Sequence, residues 1–148
     1  MFALVLAKTL CLPIPDGFLA VADPSELPTK KAPTLTDGRN LVYASASVKT
    51  PDLTFRVNLN VNNADKLAII RDLVKWAGLG SVYAFDSWIA NTDRHGGNLL
   101  FGGHHQVWII DHGHCFTGEN WHPSDLKPET FYRHKLSEWL TVHMSDSE

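Results

Sequence analysis

Asn91-Thr-Asp-Arg-His-Gly-Gly-Asn98, followed closely by Val107-Trp-Ile-Ile-Asp-His-Gly-His114, decides how this chain is read. The first string carries Asp93 and, five positions on, Asn98; the second carries Asp111 at the end of an apolar run. Phosphoryl transfer requires this layout. One carboxylate, Asp93, would orient the attacking hydroxyl or accept its proton. The amide oxygen of Asn98 and the carboxylate of Asp111 would hold Mg²⁺ against the phosphates of ATP. Magnesium takes oxygen ligands and one or two carboxylates, so an Asn and an Asp suit it.

The local pattern brings the two strings together. Leu99-Leu-Phe is a short apolar run, Gly102-Gly-His-His105 a turn, and Gln106 to Ile110 a second apolar run. Two such runs around a Gly-containing connection predict a β-hairpin. Asn98 would then begin one strand and Asp111 end the other, at the same end of the hairpin.

Asp-Arg-His-x-x-Asn followed by Ile-Asp-x-Gly-His resembles the catalytic and metal-binding loops of phosphoinositide-kinase-like enzymes. Asn-Thr-Asp-Arg-His-Gly-Gly-Asn-Leu-Leu with Ile-Asp-His-Gly is still more similar to the bacterial HipA-like kinases, which share that atypical kinase fold. The resemblance runs from about Phe85 to Phe116, with a fainter match from Phe2 to Asp23. There Leu-Ala-Lys-Thr-Leu-Cys-Leu-Pro-Ile-Pro looks like the helix-then-strand leading to the interlobe hinge. It places the family's catalytic Asp on Asp93, its metal-binding Asn on Asn98 and its second metal-binding Asp on Asp111. By analogy with the hinge, Phe18 and Leu19 line the adenine slot; a plain core strand is the other reading of Phe18 to Val21. The resemblance implies ATP and Mg²⁺ as cofactors and a protein Ser or Thr as the favoured acceptor. It leaves membership of a toxin–antitoxin system open.

Length and composition agree with a folded enzyme domain. The chain has 148 residues, 44% hydrophobic and 20% charged, which suits one globular domain with a real core. A net charge of −3 argues against nucleic acid as a partner, because phosphate-backbone binding needs a basic face. Two cysteines, Cys11 and Cys115, give no disulfide framework, and a reducing cytoplasm is the simplest compartment. The apolar opening is interrupted by Lys8 and lacks a basic n-region, so it reads as a buried helix and not as a signal peptide. No stretch reaches the length of a membrane span.

Taken in order, the chain predicts a mainly helical α+β fold, a kinase-like C-lobe with a small β-hairpin carrying the site. Phe2 to Leu12 is expected as a helix apolar on nearly all sides, Gly17 to Ala22 as a strand and 23–37 as a Pro-rich loop. Residues 1–22 would be the remnant of the interlobe helix and hinge strand. Leu41 to Val48 is a short strand or irregular, and Asn58 to Asn63 a polar turn ending in an N-cap at Asn62 or Asn63. A helix from about Ala64 to Ala77 would bury Leu67, Ile70, Leu73, Val74 and Ala77 and end at Gly78 or Gly80. A second, about Ser81 to Ala90, would bury Val82, Phe85, Trp88 and Ile89 and lead into Asp93. A last helix, about Glu129 to Val142, would pack through Leu136, Trp139 and Leu140, leaving 143–148 as a frayed tail.

The sequence contains no Gly-x-Gly-x-x-Gly and no Val-Ala-Ile-Lys-like strand, so the small N-lobe of a kinase is expected to be largely absent from it. The rival is therefore a non-catalytic or split-kinase subunit that binds a partner chain bearing the N-lobe. A third reading, a zinc hydrolase, starts from His95, His104, His105, His112, His114 and Cys115, whose spacing fits no closed zinc pattern. His95 either assists proton transfer near neutral pH or hydrogen-bonds the backbone around Asp111. Arg94 either reaches a substrate phosphate or pairs with a nearby acid. Gly96, Gly97 and Gly113 are expected to provide tight turns.

Overall fold

The computed structural model describes residues 2–60, 62–118, 120–127 and 129–145, and these form an α+β fold. Among the described residues there are five α-helices and two small antiparallel sheets. The chain divides into two compact units, Pro15–Val48 on the one hand and Phe2–Ile14 together with Lys49 onward on the other.

The smaller unit is a two-stranded ribbon. Strand β1, Gly17–Ala22, pairs with β2, Asn40–Ser45, in a register running from Gly17↔Ser45 to Ala22↔Asn40. The polar loop between them is held by short side chains that bond local backbone. Asp23 Oδ1 accepts from Ser25 N at 2.8 Å, and Asp37 Oδ1 from Arg39 N at 3.0 Å. Buried Asn40 donates to Thr29 Oγ1 and accepts from Thr34 Oγ1, tying the loop to the ribbon.

The larger unit contains helices α1 (Phe2–Thr9), α2 (Leu53–Leu59), α3 (Asn63–Val74), α4 (Leu79–Trp88) and α5 (Lys135–Ser145), with the hairpin β3 (Leu99–Gly103) and β4 (Gln106–Ile109). Its core draws on every one of these elements: Ala3 and Ala7, Leu53 and Val57, Ile70 and Leu73, Val82 and Phe85, Leu99 and Phe101, Val107 and Ile109, Leu136 and Leu140. The hairpin is as expected, with Leu99 opposite Ile109 and Phe101 opposite Val107. Its two edges are covered by chain from elsewhere. Ile109 N donates to Pro13 O at 2.7 Å, and Phe101 N to Pro51 O at 3.0 Å. Covered edges keep so short a ribbon from pairing with other chains.

Several elements differ from the sequence-based expectation. Helix α1 buries only Ala3 and Ala7, while Phe2, Val5 and Leu10 are exposed, so it is a one-sided helix whose outer face is apolar. Helix α2 lies where no element was expected and extends into the first two residues of the expected turn. Asp52 starts it by accepting from Phe55 N at 2.8 Å, and Asn60 ends it, so the polar turn shrinks to a short link before Asn62. Asn62 is the N-cap of α3, bonding Ala64 N. That helix stops at Val74, before either glycine, and leaves Val74 and Ala77 exposed; Gly78 instead caps the start of α4. Trp88 is 65% exposed because α4 ends there and Ile89, at the cap, takes the inward position. Residues 130–134 are not helical, and α5 begins at Lys135 and runs through His143–Ser145; residues 146–148 of the expected tail lie outside the described residues.

Leu136, fully buried in the first turn of α5, is the side chain that holds this helix on the core. Leu136→Ala should lower unfolding free energy by about 2–5 kcal/mol in denaturant titration, the usual cost of a Leu-sized cavity.

Candidate active site

The segment leaving α4 sets the site's geometry. Ala90 takes a left-handed conformation, φ 49°, and turns the chain so that Asn91 N bonds back to Asp86 O at 2.8 Å. Asn91 Oδ1 then accepts from Asp93 N at 3.2 Å, an Asx turn that presents the Asp93 side chain.

Behind this turn lies a buried ion pair. The Arg94 and Asp86 side chains have no solvent exposure, and the guanidinium grips the carboxylate in a fork, Nε to Oδ2 at 2.8 Å and Nη2 to Oδ1 at 3.0 Å. Asn91 Nδ2 and His134 Nε2 complete the shell of Asp86 at 2.8 and 3.2 Å. Burial alone would raise the Asp86 pKa; the bonds from His134, Arg94 and Asn91 outweigh it and bring the carboxyl down to about 2. The remaining Arg94 amine, Nη1, donates both to Asn98 O at 2.9 Å and to Ile110 O at 2.7 Å. Ile110 N also donates to Asn98 O at 3.1 Å. One side chain thus fixes the loop of Asp93 and Asn98 against the loop of Asp111.

Each residue singled out in the sequence has a definite place. Asp93 is partly buried, and its Oδ1 accepts from Lys135 Nζ at the start of α5. That hydrogen bond is the main reason its pKa lies below the ordinary carboxylate value, so the group is ionised at neutral pH. Asn98 is buried and commits its amide nitrogen to Asp93 O at 3.0 Å. Asp111 is exposed and left-handed, φ 51°, a conformation Asp tolerates, with Oδ1 accepting from Gly113 N at 3.1 Å. The structure therefore brings Asp93, Asn98 and Asp111 to one end of the hairpin. Asn98 and Asp111 offer oxygen donors alone, the chemistry that fits Mg²⁺.

Phe18 and Leu19 are exposed side chains on β1, in the other compact unit. His95 does not bond the backbone around Asp111. Its Nδ1 accepts from Gly97 N at 3.0 Å within its own loop, leaving Nε2 at 3.8 Å from Asp93 Oδ2. Arg94 reaches the nearby acid and not a phosphate. The glycines lie in tight turns as expected, Gly96 and Gly97 in a 3-10 turn, and none of Gly96, Gly97 and Gly113 has the left-handed φ that Asp111 adopts. Gly96 is required for close approach: a Cβ there would stand 2.5 Å from Thr54 Oγ1 of α2.

The histidines do not converge. His104 in the hairpin turn bonds Asp72 of α3 at 2.9 Å. His112 is buried against Phe85, its ring nitrogens without partners among the described residues, and burial pushes its pKa down to about 4. Among the described residues no group of three or more His, Cys, Asp or Glu is placed to hold a metal ion. Sequence reasoning missed Asp86, His134 and Lys135. Asp86 had a signal, as the lone charge in the apolar helix Leu79–Trp88, whereas His134 and Lys135 lie far downstream with none.

A family model described as HipA-like kinase matches residues 1–146. No curated protein and no solved structure matches the chain.

Asp86→Asn would leave the buried Arg94 charge uncompensated and should cost about 3–5 kcal/mol of stability. The wild-type carboxyl titrates at about 2 when folded against 3.8 ordinarily, so its contribution is whole above the higher value and lost as pH falls through the lower. Thermal unfolding followed across that acid range should show the fall in wild type and a shallower one in the variant.

Proposed function

The chain belongs to the HipA-like kinase family, and from that premise we propose that it is an ATP- and Mg²⁺-dependent phosphotransferase acting on a hydroxyl, with protein Ser or Thr the favoured acceptor. The observation that carries the reading is the double donation from Arg94 to Asn98 O and Ile110 O, which holds the loop of Asp93 and Asn98 against that of Asp111. Asn98 and Asp111 would hold Mg²⁺, which when bound screens the charge of the phosphates. Asp93, ionised and held by Lys135, positions the acceptor hydroxyl and takes its proton. His95 supports this carboxylate as a neighbour and caps its own loop. The free thiols of Cys11 and Cys115 suit a reducing cytoplasm, and among the described residues no helix is long and apolar enough to cross a membrane.

A second reading is favoured by one observation, the exposed apolar face of α1, where Phe2 is 63% and Val5 59% exposed, continued just past the helix by Leu10 at 52%. In that reading the chain is a split-kinase subunit, and a partner protein supplies the Gly-rich loop and phosphate-binding Lys absent from this sequence.

Calorimetric titration of Mg-ATP separates the two. The first reading predicts binding to the chain alone, weakened by about tenfold or more in Asp111→Ala as the metal loses its carboxylate. Heat equal in wild type and Asp111→Ala would contradict the site, and no heat from either would favour the split subunit.

A further inference from the structure

Phosphoryl transfer spreads negative charge over the oxygens of the moving group, and a site that performs it needs a cation there besides the metal. Arg94, the cation within the motif, cannot serve. Its side chain is fully buried, and its donors go to Asp86, Asn98 O and Ile110 O. His95 has Nδ1 occupied by Gly97 N. Among the described residues, the ammonium in contact with Asp93 is that of Lys135.

The placement of Lys135 is built into the fold. The residue before it, His134, bonds Asp86 through Nε2 at 3.2 Å. The residue after it, Leu136, is fully buried and donates its N–H to Arg94 O at 2.7 Å. Lys135 is thus pinned on both sides to the buried pair, and its side chain is aimed at Asp93. Stability does not account for this contact, because the Lys135 side chain is 42% exposed and so open an ion pair contributes little. An ammonium has three donors, so one can hold Asp93 while others face a phosphate.

Resting on the phosphotransferase reading above, we propose that Lys135 is a catalytic residue supplied by α5, which binds the phosphoryl group as it passes from ATP to the hydroxyl at Asp93. In that step the acceptor oxygen bonds to the γ-phosphorus while the bond from phosphorus to the β–γ bridging oxygen breaks. ADP leaves with that electron pair, and the hydroxyl proton passes to Asp93. Lys135 exchanges no proton. It neutralises the equatorial oxygens and holds the carboxylate in line.

The test is calorimetry of the full chain with Mg-ADP alone and Mg-ADP plus aluminium fluoride, which imitates the moving phosphoryl group. Wild type, Lys135→Ala and Lys135→Arg are compared, with circular dichroism to confirm folding. Fluoride should tighten Mg-ADP binding to wild type; Lys135→Ala should keep its Mg-ADP affinity and lose about tenfold or more of the tightening. Lys135→Arg, which keeps the charge, should recover part of it. Tightening in Lys135→Ala equal to wild type overturns the proposal alone. So does joint loss of Mg-ADP binding and fluoride response in Lys135→Ala, which would make Lys135 a structural support, or a wild type that binds Mg-ADP with no response to fluoride. Absence of nucleotide binding by wild type would sink the phosphotransferase reading and this proposal with it.

Discussion

A guanidinium taken out of water must find acceptors for its N–H groups, and the way Arg94 finds them fixes the larger unit around the base of its hairpin. The fork onto Asp86 neutralises the charge, and the remaining amine closes on two backbone carbonyls from segments that meet only at the hairpin base. A buried pair of this kind is costly to desolvate, and a well-packed apolar substitute would often be as stable. Its value here is positional. Arg94 joins the end of α4, the loop before β3, the chain after β4 and the start of α5, through bonds to Asp86, Asn98, Ile110 and Leu136.

Backbone strain gathers around the same place. Ala90, Asp111, Phe116 and Thr117 all take positive φ, and Phe116 N and Thr117 N bond Ile89 O and Ala90 O at 2.6 and 3.0 Å. Non-glycine residues with positive φ persist only where surrounding structure overdetermines them, and such residues concentrate at functional sites. The strained turns at the exit of α4 and after the hairpin brace each other across the site. Gly96 adds a steric condition of its own, admitting α2 close to the loop.

The hairpin and the convergence of Asp93, Asn98 and Asp111 were legible because both follow from short-range pattern: two apolar runs, a Gly-containing turn and oxygen-bearing residues at their outer ends. Strand β1 and the N-cap Asn62 were legible for the same reason. What was hidden depends on contacts distant in sequence. Helix α2 has only seven residues, too few for a clear period, and its stability comes from packing Leu53 and Val57 into the core. Val74 and Trp88 sit at apolar helical positions, yet the helices end there and neighbouring residues take the inward direction. Lys135 meets Asp93 across 42 residues, and no local pattern announces such a pair. That Arg94 pairs with an acid was one of its two readings, but that the acid is Asp86, eight residues back inside α4, was not read.

In the proposed function a metal and nucleotide phosphates meet at the hairpin base, braced by the Arg94–Asp86 pair. Paramagnetic broadening tests it most directly, with Mn²⁺ added in place of Mg²⁺ beside ADP and the amide resonances of the labelled protein observed. The Asn98 side-chain amide and the backbone amides of Asp93 and Gly113 should broaden together, while those of His104 and His105 at the far end of the hairpin persist. Broadening centred on the hairpin turn or on the histidines, with Asn98 and Gly113 unaffected, would contradict it.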